Sequence, residues 1–117
     1  MADNQYDVQI LDPAQAELEE IARLYCSLVG PDAARKITDR IYSALEQLSR
    51  FPLSGPTMRD AELRSFGYRF TVVDKYIVIY RLIANAVVVY HIFDGRSDYP
   101  ELFRSELFKL HQKTDKN

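Results

Sequence analysis

Tyr6, Val8 and Ile10 alternate with Asp7 and Gln9, the two-residue period of a half-buried strand. The period breaks at Asp12-Pro13. Asp can accept from the free amides of a helix start, Pro suits the first helical position, and Gln15 stands where a capping-box partner would. A helix is therefore expected, its stripe made of Ala14, Leu18, Ile21, Ala22, Tyr25, Leu28 and Val29 at three- and four-residue spacing, with Gly30-Pro31 closing it. A second helix begins near Asp32, carries Ala34, Ile37, Ile41, Ala44, Leu45 and Leu48 on one stripe, and ends at Arg50-Phe51-Pro52. So short a link makes the two helices antiparallel neighbours. Residues 51–60, with two prolines, one glycine and no period, predict a surface loop.

Three strand-like runs follow, Tyr68 to Val73, Tyr76 to Ile83 and Ala86 to Phe93. The two-residue links Asp74-Lys75 and Ala84-Asn85 make an antiparallel meander the simplest topology. Asp98, Pro100 and Glu101 then form a capping-box start for a last helix with Phe103, Leu107 and Leu110 on its apolar edge. The order β-α-α-β-β-β-α gives an α+β fold, an antiparallel sheet packed on an N-terminal helical hairpin. With both turns in register, Phe70, Val72, Ile77, Ile79, Val88, Tyr90 and Ile92 share the side expected to meet the helices. Arg69, Thr71, Tyr76, Val78, Tyr80, Val89, His91 and Phe93 share the other, the candidate functional surface.

Composition narrows the class. A chain of 117 residues with 47% hydrophobic positions is expected to form one globular domain over residues 1–117. The opening Met-Ala-Asp-Asn-Gln-Tyr has neither a basic nor an apolar leader region, and no apolar run reaches membrane-spanning length, so a cytoplasmic, membrane-free protein is expected. The lone Cys26 cannot form an internal disulfide and reads as a small hydrophobe beside the first helical stripe. His91 and His111 have no metal-ligand spacing, so neither metal nor cofactor is expected. A net charge of −2 disfavours a generic nucleic-acid binder. The charge is uneven, however: residues 1–50 hold five Lys/Arg against nine Asp/Glu, and residues 51–117 hold ten against eight.

The Asp-Pro-started hairpin with FPLSGP after it, then LRSFGYRF, KYIVIYRLI and VVVYHIFDGRSDY, resembles the RelE/ParE superfamily of bacterial type II toxins over nearly the whole chain. The resemblance includes a Tyr-rich central strand, Lys75 to Arg81, and a last strand ending in a Gly-Arg-x-Asp turn, Gly95 to Asp98. It implies a growth-inhibiting toxin neutralised by a cognate antitoxin whose tail wraps across it. It also implies one of two targets. RelE-like members cut mRNA on the ribosome without a metal, whereas ParE-like members block DNA gyrase and lack the nuclease set.

Cleavage requires a base for the 2′-hydroxyl, cations for the phosphorane and an acid for the 5′-oxygen. Candidates here are His91 as base or acid, Arg69 and Arg96 as phosphate clamps, and Tyr80 or Tyr99 as proton donor or stacking platform. Arg64, Arg69, Arg81 and Arg96 are the candidates for binding a target or RNA. Each also has a structural reading. His91 can be a hydrogen-bonded core histidine, Tyr76, Tyr80 and Tyr90 can be packing residues, Arg81 can snorkel from the helix-covered side, and Arg69 and Arg96 can pair with Asp94 and Asp98. RelE-like nucleases carry Arg directly after the Tyr that opens the central strand, and this chain has Ile77 there. The ParE-like, gyrase-binding reading is therefore preferred over the endoribonuclease, with a degenerate antitoxin-binding module as the third.

Overall fold

The computed structural model describes the backbone of residues 5–115 and the side chains of residues 5–109; Leu110 and His111, named above, have side chains outside that range, and Met1 to Asn4 lie outside it entirely. Its elements run β1 (Asp7–Ile10), α1 (Asp12–Leu28), α2 (Pro31–Arg50), α3 (Ala61–Ser65), β2 (Arg69–Val73), β3 (Tyr76–Ile83), β4 (Ala86–Asp94) and α4 (Tyr99–Asp115). The strands form one sheet in the order β1-β4-β3-β2. The meander β2-β3-β4 is antiparallel, and β1 adds to its β4 edge in parallel, from Asp7 opposite Ala86 to Ile10 opposite Val89.

Both tight turns stand where the spacing puts them, with Asp74 and Ala84 in the left-handed region at φ 54°. The α1–α2 hairpin also follows its periodicity. Ala14, Leu18 and Ile21 of α1 and Ile37, Ile41, Leu45 and Leu48 of α2 are buried against Val78, Tyr80, Val87, Val89 and Ile92 of the sheet. At about 25 cal/mol per Å² of apolar surface removed from water, this aliphatic layer is the principal stabilising contact of the fold.

The local punctuation differs from expectation. Leu11 rather than Asp12 is the N-cap residue of α1, so Asp12 sits inside the first turn, where its charge complements the helix dipole. Gln15 turns forward to Glu19 at 3.1 Å instead of back to a cap. Leu28 and Val29, expected on the stripe, are exposed at the hairpin tip, and Cys26 is exposed as well. Gly30, at φ 144°, bonds back to the Tyr25 carbonyl at 3.0 Å and serves as the N-cap residue of α2, which starts at Pro31. The 51–60 segment is only partly a surface loop: Pro52, Gly55 and Met58 are buried. Its end also starts the unanticipated α3, capped by Asp60 accepting from the Leu63 amide at 3.0 Å.

The face assignment reverses for β2, β3 and the part of β4 before residue 90, while Ile92, His91 and Phe93 lie on the sides expected of them. The hairpin covers Val73, Tyr76, Val78 and Tyr80, while Ile77 and Ile79 look the other way, into a second cluster with Met58, Leu63, Tyr68 and Phe103 of α4. A β-bulge contributes: Ile79 opposes His91 but Tyr80 opposes Val89, so Tyr90 is the extra residue. Beyond the bulge Ile92 joins the hairpin face, and His91 and Phe93 join the second face. Arg69 opposes Tyr80 and so lies on the hairpin face. Arg69 and His91 therefore stand on opposite surfaces, not together.

Candidate functional site

On the hairpin face, Tyr80 is fully buried, and its hydroxyl donates to the Pro52 carbonyl at 2.8 Å while accepting from the Gly55 amide at 3.1 Å. Arg69 donates to the Leu53 carbonyl at 3.2 Å and the Gly55 carbonyl at 2.7 Å. Together they clamp the loop after α2 onto the start of β2. Position 55 tolerates only glycine here, because a Cβ would collide with the Phe70 carbonyl and lie 2.6 Å from the Tyr80 hydroxyl. Burial pushes the Tyr80 phenol above its ordinary pKa, against the opposing pull of the Gly55 bond and the Arg69 charge. Such a phenol is a fixed structural donor, out of reach of a substrate.

The second face is aromatic. His91, 7% exposed, stacks on Phe93 with ring centres 4.7 Å apart and receives Phe103 at 5.7 Å. Its Nδ1 lies 2.9 Å from one oxygen of Glu17, whose other oxygen accepts the Ile92 amide at 2.7 Å. β1 stops pairing at Val89, so the β4 edge beyond it is open, and the α1 carboxylate closes that edge. Both oxygens of Glu17 are thereby engaged, one by the imidazole and one by the backbone of β4. Nothing in the residue types announced Glu17. Its one legible signal is spacing, since it falls between Ala14, Leu18 and Ile21 on the buried side of α1.

Arg81 also lies on this second face, not beneath the hairpin. Its guanidinium sits 4.5 Å from the Tyr68 ring centre and donates to the Phe66 carbonyl at 3.1 Å and the Tyr90 hydroxyl at 3.0 Å, while its buried Nε has no partner. Burial pushes the Tyr68 phenol up, partly offset by Arg81. Tyr99 packs at the margin of the same cluster. Arg96 is elsewhere, exposed on the turn after β4 and joined to Asp94 by Nε–Oδ1 and Nη2–Oδ2 bonds of 3.1 and 2.9 Å. Those bonds hold the Asp94 carboxyl well below the usual carboxylate range and raise Arg96. Arg64 is exposed on α3 and donates to the Arg59 carbonyl at 3.0 Å.

The candidates thus separate. Arg69 and Tyr80 form a loop clamp, His91 and Tyr99 belong to an aromatic cluster on the reverse face, and Arg96 is paired on a turn. Arg64, Arg69 and Arg81 each donate to a backbone carbonyl, Arg69 on the hairpin face and Arg81 on the second. Ile77, in the position of the RelE arginine, is buried. No helix among the described residues is long and apolar enough to cross a membrane.

Comparison with known proteins matches this geometry to a family. The model of the ParE toxin of the type II toxin–antitoxin system parDE matches residues 8–99. Toxin ParE3 of Caulobacter vibrioides is 34% identical over 84 residues, covering 72% of this chain and 81% of that protein. Among solved structures, a chain of the chromosomal ParDE system of P. aeruginosa shares the fold at a TM-score of 0.65 and 18% identity, over 79% of this chain and 98% of that one. A chain of the RelBE2 toxin–antitoxin complex of Mycobacterium tuberculosis does so at 0.54 and 22%, over 77% and 98%. The chain is a RelE/ParE-superfamily protein and belongs to the ParE toxin family of type II toxin–antitoxin systems.

Proposed function

We propose that this toxin acts in the cytoplasm as one domain, arresting growth by binding DNA gyrase without cleaving RNA, and that a cognate antitoxin neutralises it. One observation carries the choice between targets: the residues a nuclease would need do not converge. Proton transfer and phosphorane stabilisation require base, acid and cations within hydrogen-bond reach of a single phosphate. Here Arg69 and Tyr80 are committed to loop carbonyls on one face, and His91 is held by Glu17 under Phe103 on the other. Binding a protein target makes no such demand on geometry.

Two assays on the purified full chain test this. Supercoiling by purified gyrase should fall as the toxin is added, and ribosome-bound mRNA should remain intact. Unimpaired supercoiling, or mRNA cleavage abolished by His91→Ala or Arg69→Ala, would overturn the reading.

A further inference from the structure

A cleft of about 250 Å³ lies between α1 and the end of the sheet. Its floor is apolar, made of Ile21 and Leu24 of α1, Tyr76 of β3 and Ile92 of β4. The apolar surface does not end there. Ile21, Leu24 and Leu28 recur at three- and four-residue spacing, so one helical stripe runs out of the cleft to the hairpin tip. Along that course it emerges into water: Ile21 is 7% exposed, Leu24 44% and Leu28 73%. A stripe that starts in the core and continues into solvent is a surface for contact with another helix.

The charges at its two ends are opposite. Glu17 and Glu20 stand on the α1 wall of the cleft. Glu17 is taken up by His91 and the Ile92 amide, but Glu20 meets only the exposed Arg23 one turn on, a pair that contributes little in water. Toward the hairpin tip, Tyr25 in the last turn of α1 packs on Tyr76 with ring centres 6.5 Å apart, and the Lys75 ammonium lies 5.7 Å from the Tyr76 ring. Both oxygens of the nearby Asp94 already bond Arg96. Lys75 itself is exposed and pairs with no carboxylate among the described residues.

An extended strand does not suit this place, because the Ile92 amide it would use on the β4 edge is occupied by Glu17. A helix carrying the complementary pattern does. An acid at one end, a cation at the other and leucines between them match themselves when reversed, which is the self-complementarity that a twofold axis demands. The occupant whose pattern fits is thus a second copy of this chain. We propose that the free toxin pairs with itself about a twofold axis near Leu24, laying the two α1 stripes antiparallel so that Glu20 of each copy meets Lys75 of the other. The pairing is independent of which target the toxin strikes.

Sedimentation velocity of the purified full chain over a wide concentration range tests this, with a reductant present so that the exposed Cys26 cannot join copies covalently. Wild type should pass reversibly from monomer to dimer. Leu24→Glu and Leu28→Glu should each raise the dissociation constant by roughly tenfold or more, as loss of a central contact does. Every residue changed is exposed, so melts of the dilute monomers should stay near wild type. Glu20→Lys and Lys75→Glu should each weaken the dimer, since each sets like charges together twice per interface. Mixed in equal amounts, those two variants should recover affinity as a heterodimer, because every contact again joins a cation to an acid. A wild type that sediments as a monomer throughout would overturn the proposal. So would a dimer that Leu24→Glu and Leu28→Glu leave intact, or a mixture that recovers nothing. If wild type stays monomeric while Leu28→Glu weakens antitoxin binding or gyrase inhibition, the stripe belongs to that partner, which overturns the self-pairing too. Each of these results leaves the ParE assignment standing.

Discussion

The two faces of the sheet share β2, β3 and β4 but solve burial differently, and only the hairpin side also draws on Val8 and Ile10 of β1. The hairpin face is an aliphatic layer between regular surfaces: α1 and α2 supply Leu18, Ile41 and Leu45, and the strands supply Val78, Val87 and Val89, all 3% exposed or less. The reverse face is smaller and aromatic, with Tyr68 edge-on to Tyr90 and Phe103 at 5.1 and 4.8 Å and polar groups at its margins. A long amphipathic pair can bury an aliphatic surface continuously. The short α3 and a single face of α4 cannot, so aromatic rings fill the larger spacing, and Arg81 and His91 remain where a ring face or a carboxylate can hold them. The difference teaches that the charged residues a reader takes for a site can be the means by which a thin layer closes.

Substitutions that strip one face at a time would break or sharpen that contrast. The largest effect is expected at Ile41, fully buried under the hairpin: Ile41→Ala should cost about 4 kcal/mol of unfolding free energy, by denaturant titration, and lower one cooperative transition. Phe103→Ala, at 1% exposure on the reverse face, should cost about 3 kcal/mol, with helical circular dichroism lost ahead of the main transition as α4 leaves the sheet. A single transition lowered as far as in Ile41→Ala would instead show that the two layers are one core. Tyr80→Phe keeps the ring but strands the Pro52 carbonyl and the Gly55 amide, so about 1–2 kcal/mol should be lost. Faster amide exchange confined to the 51–57 loop would separate that effect from core damage.

Alkali should act on both faces and have the smallest effect near neutrality. Burial raises the phenols of Tyr76 and Tyr80 on the hairpin face and of Tyr68 on the reverse. A raised folded-state value means the native chain retains protons that the unfolded chain gives up. The stability these phenols contribute is therefore fully present below about pH 10 and lost as pH rises from there through the folded values. Melting temperature should be level up to that point and then fall. Tyr76→Phe should make the fall shallower, and an unchanged slope would mean that Tyr76 ionises as freely folded as unfolded.

Much of this was legible in residue order. The hairpin stripes, both two-residue turns, the meander and the start of α4 at Tyr99 follow from local period and turn chemistry, which act over a few residues. The family resemblance rested on the same features. α3 was missed because its five residues carry no period, only the cap at Asp60. The candidate site was harder to read, since β3 is apolar on both sides: its first five residues, Tyr76 to Tyr80, are all buried, so alternation could not say which side meets the hairpin. Hydroxyl and guanidinium groups suggested an open surface on the side of Arg69 and Tyr80. The hairpin covered that side anyway, because loop carbonyls some 14 to 28 residues away in the chain satisfy those groups.

The chain's own order determined which segments coil, which extend and where each stops, because those choices depend on neighbours in sequence. Tertiary structure alone decided which face the hairpin covers, that the bulge at Tyr90 turns His91 to the reverse face, and that Glu17 closes the β4 edge. Each of those depends on groups far apart along the chain meeting in space, where burial makes an unpartnered polar group costly enough to select the arrangement that satisfies it.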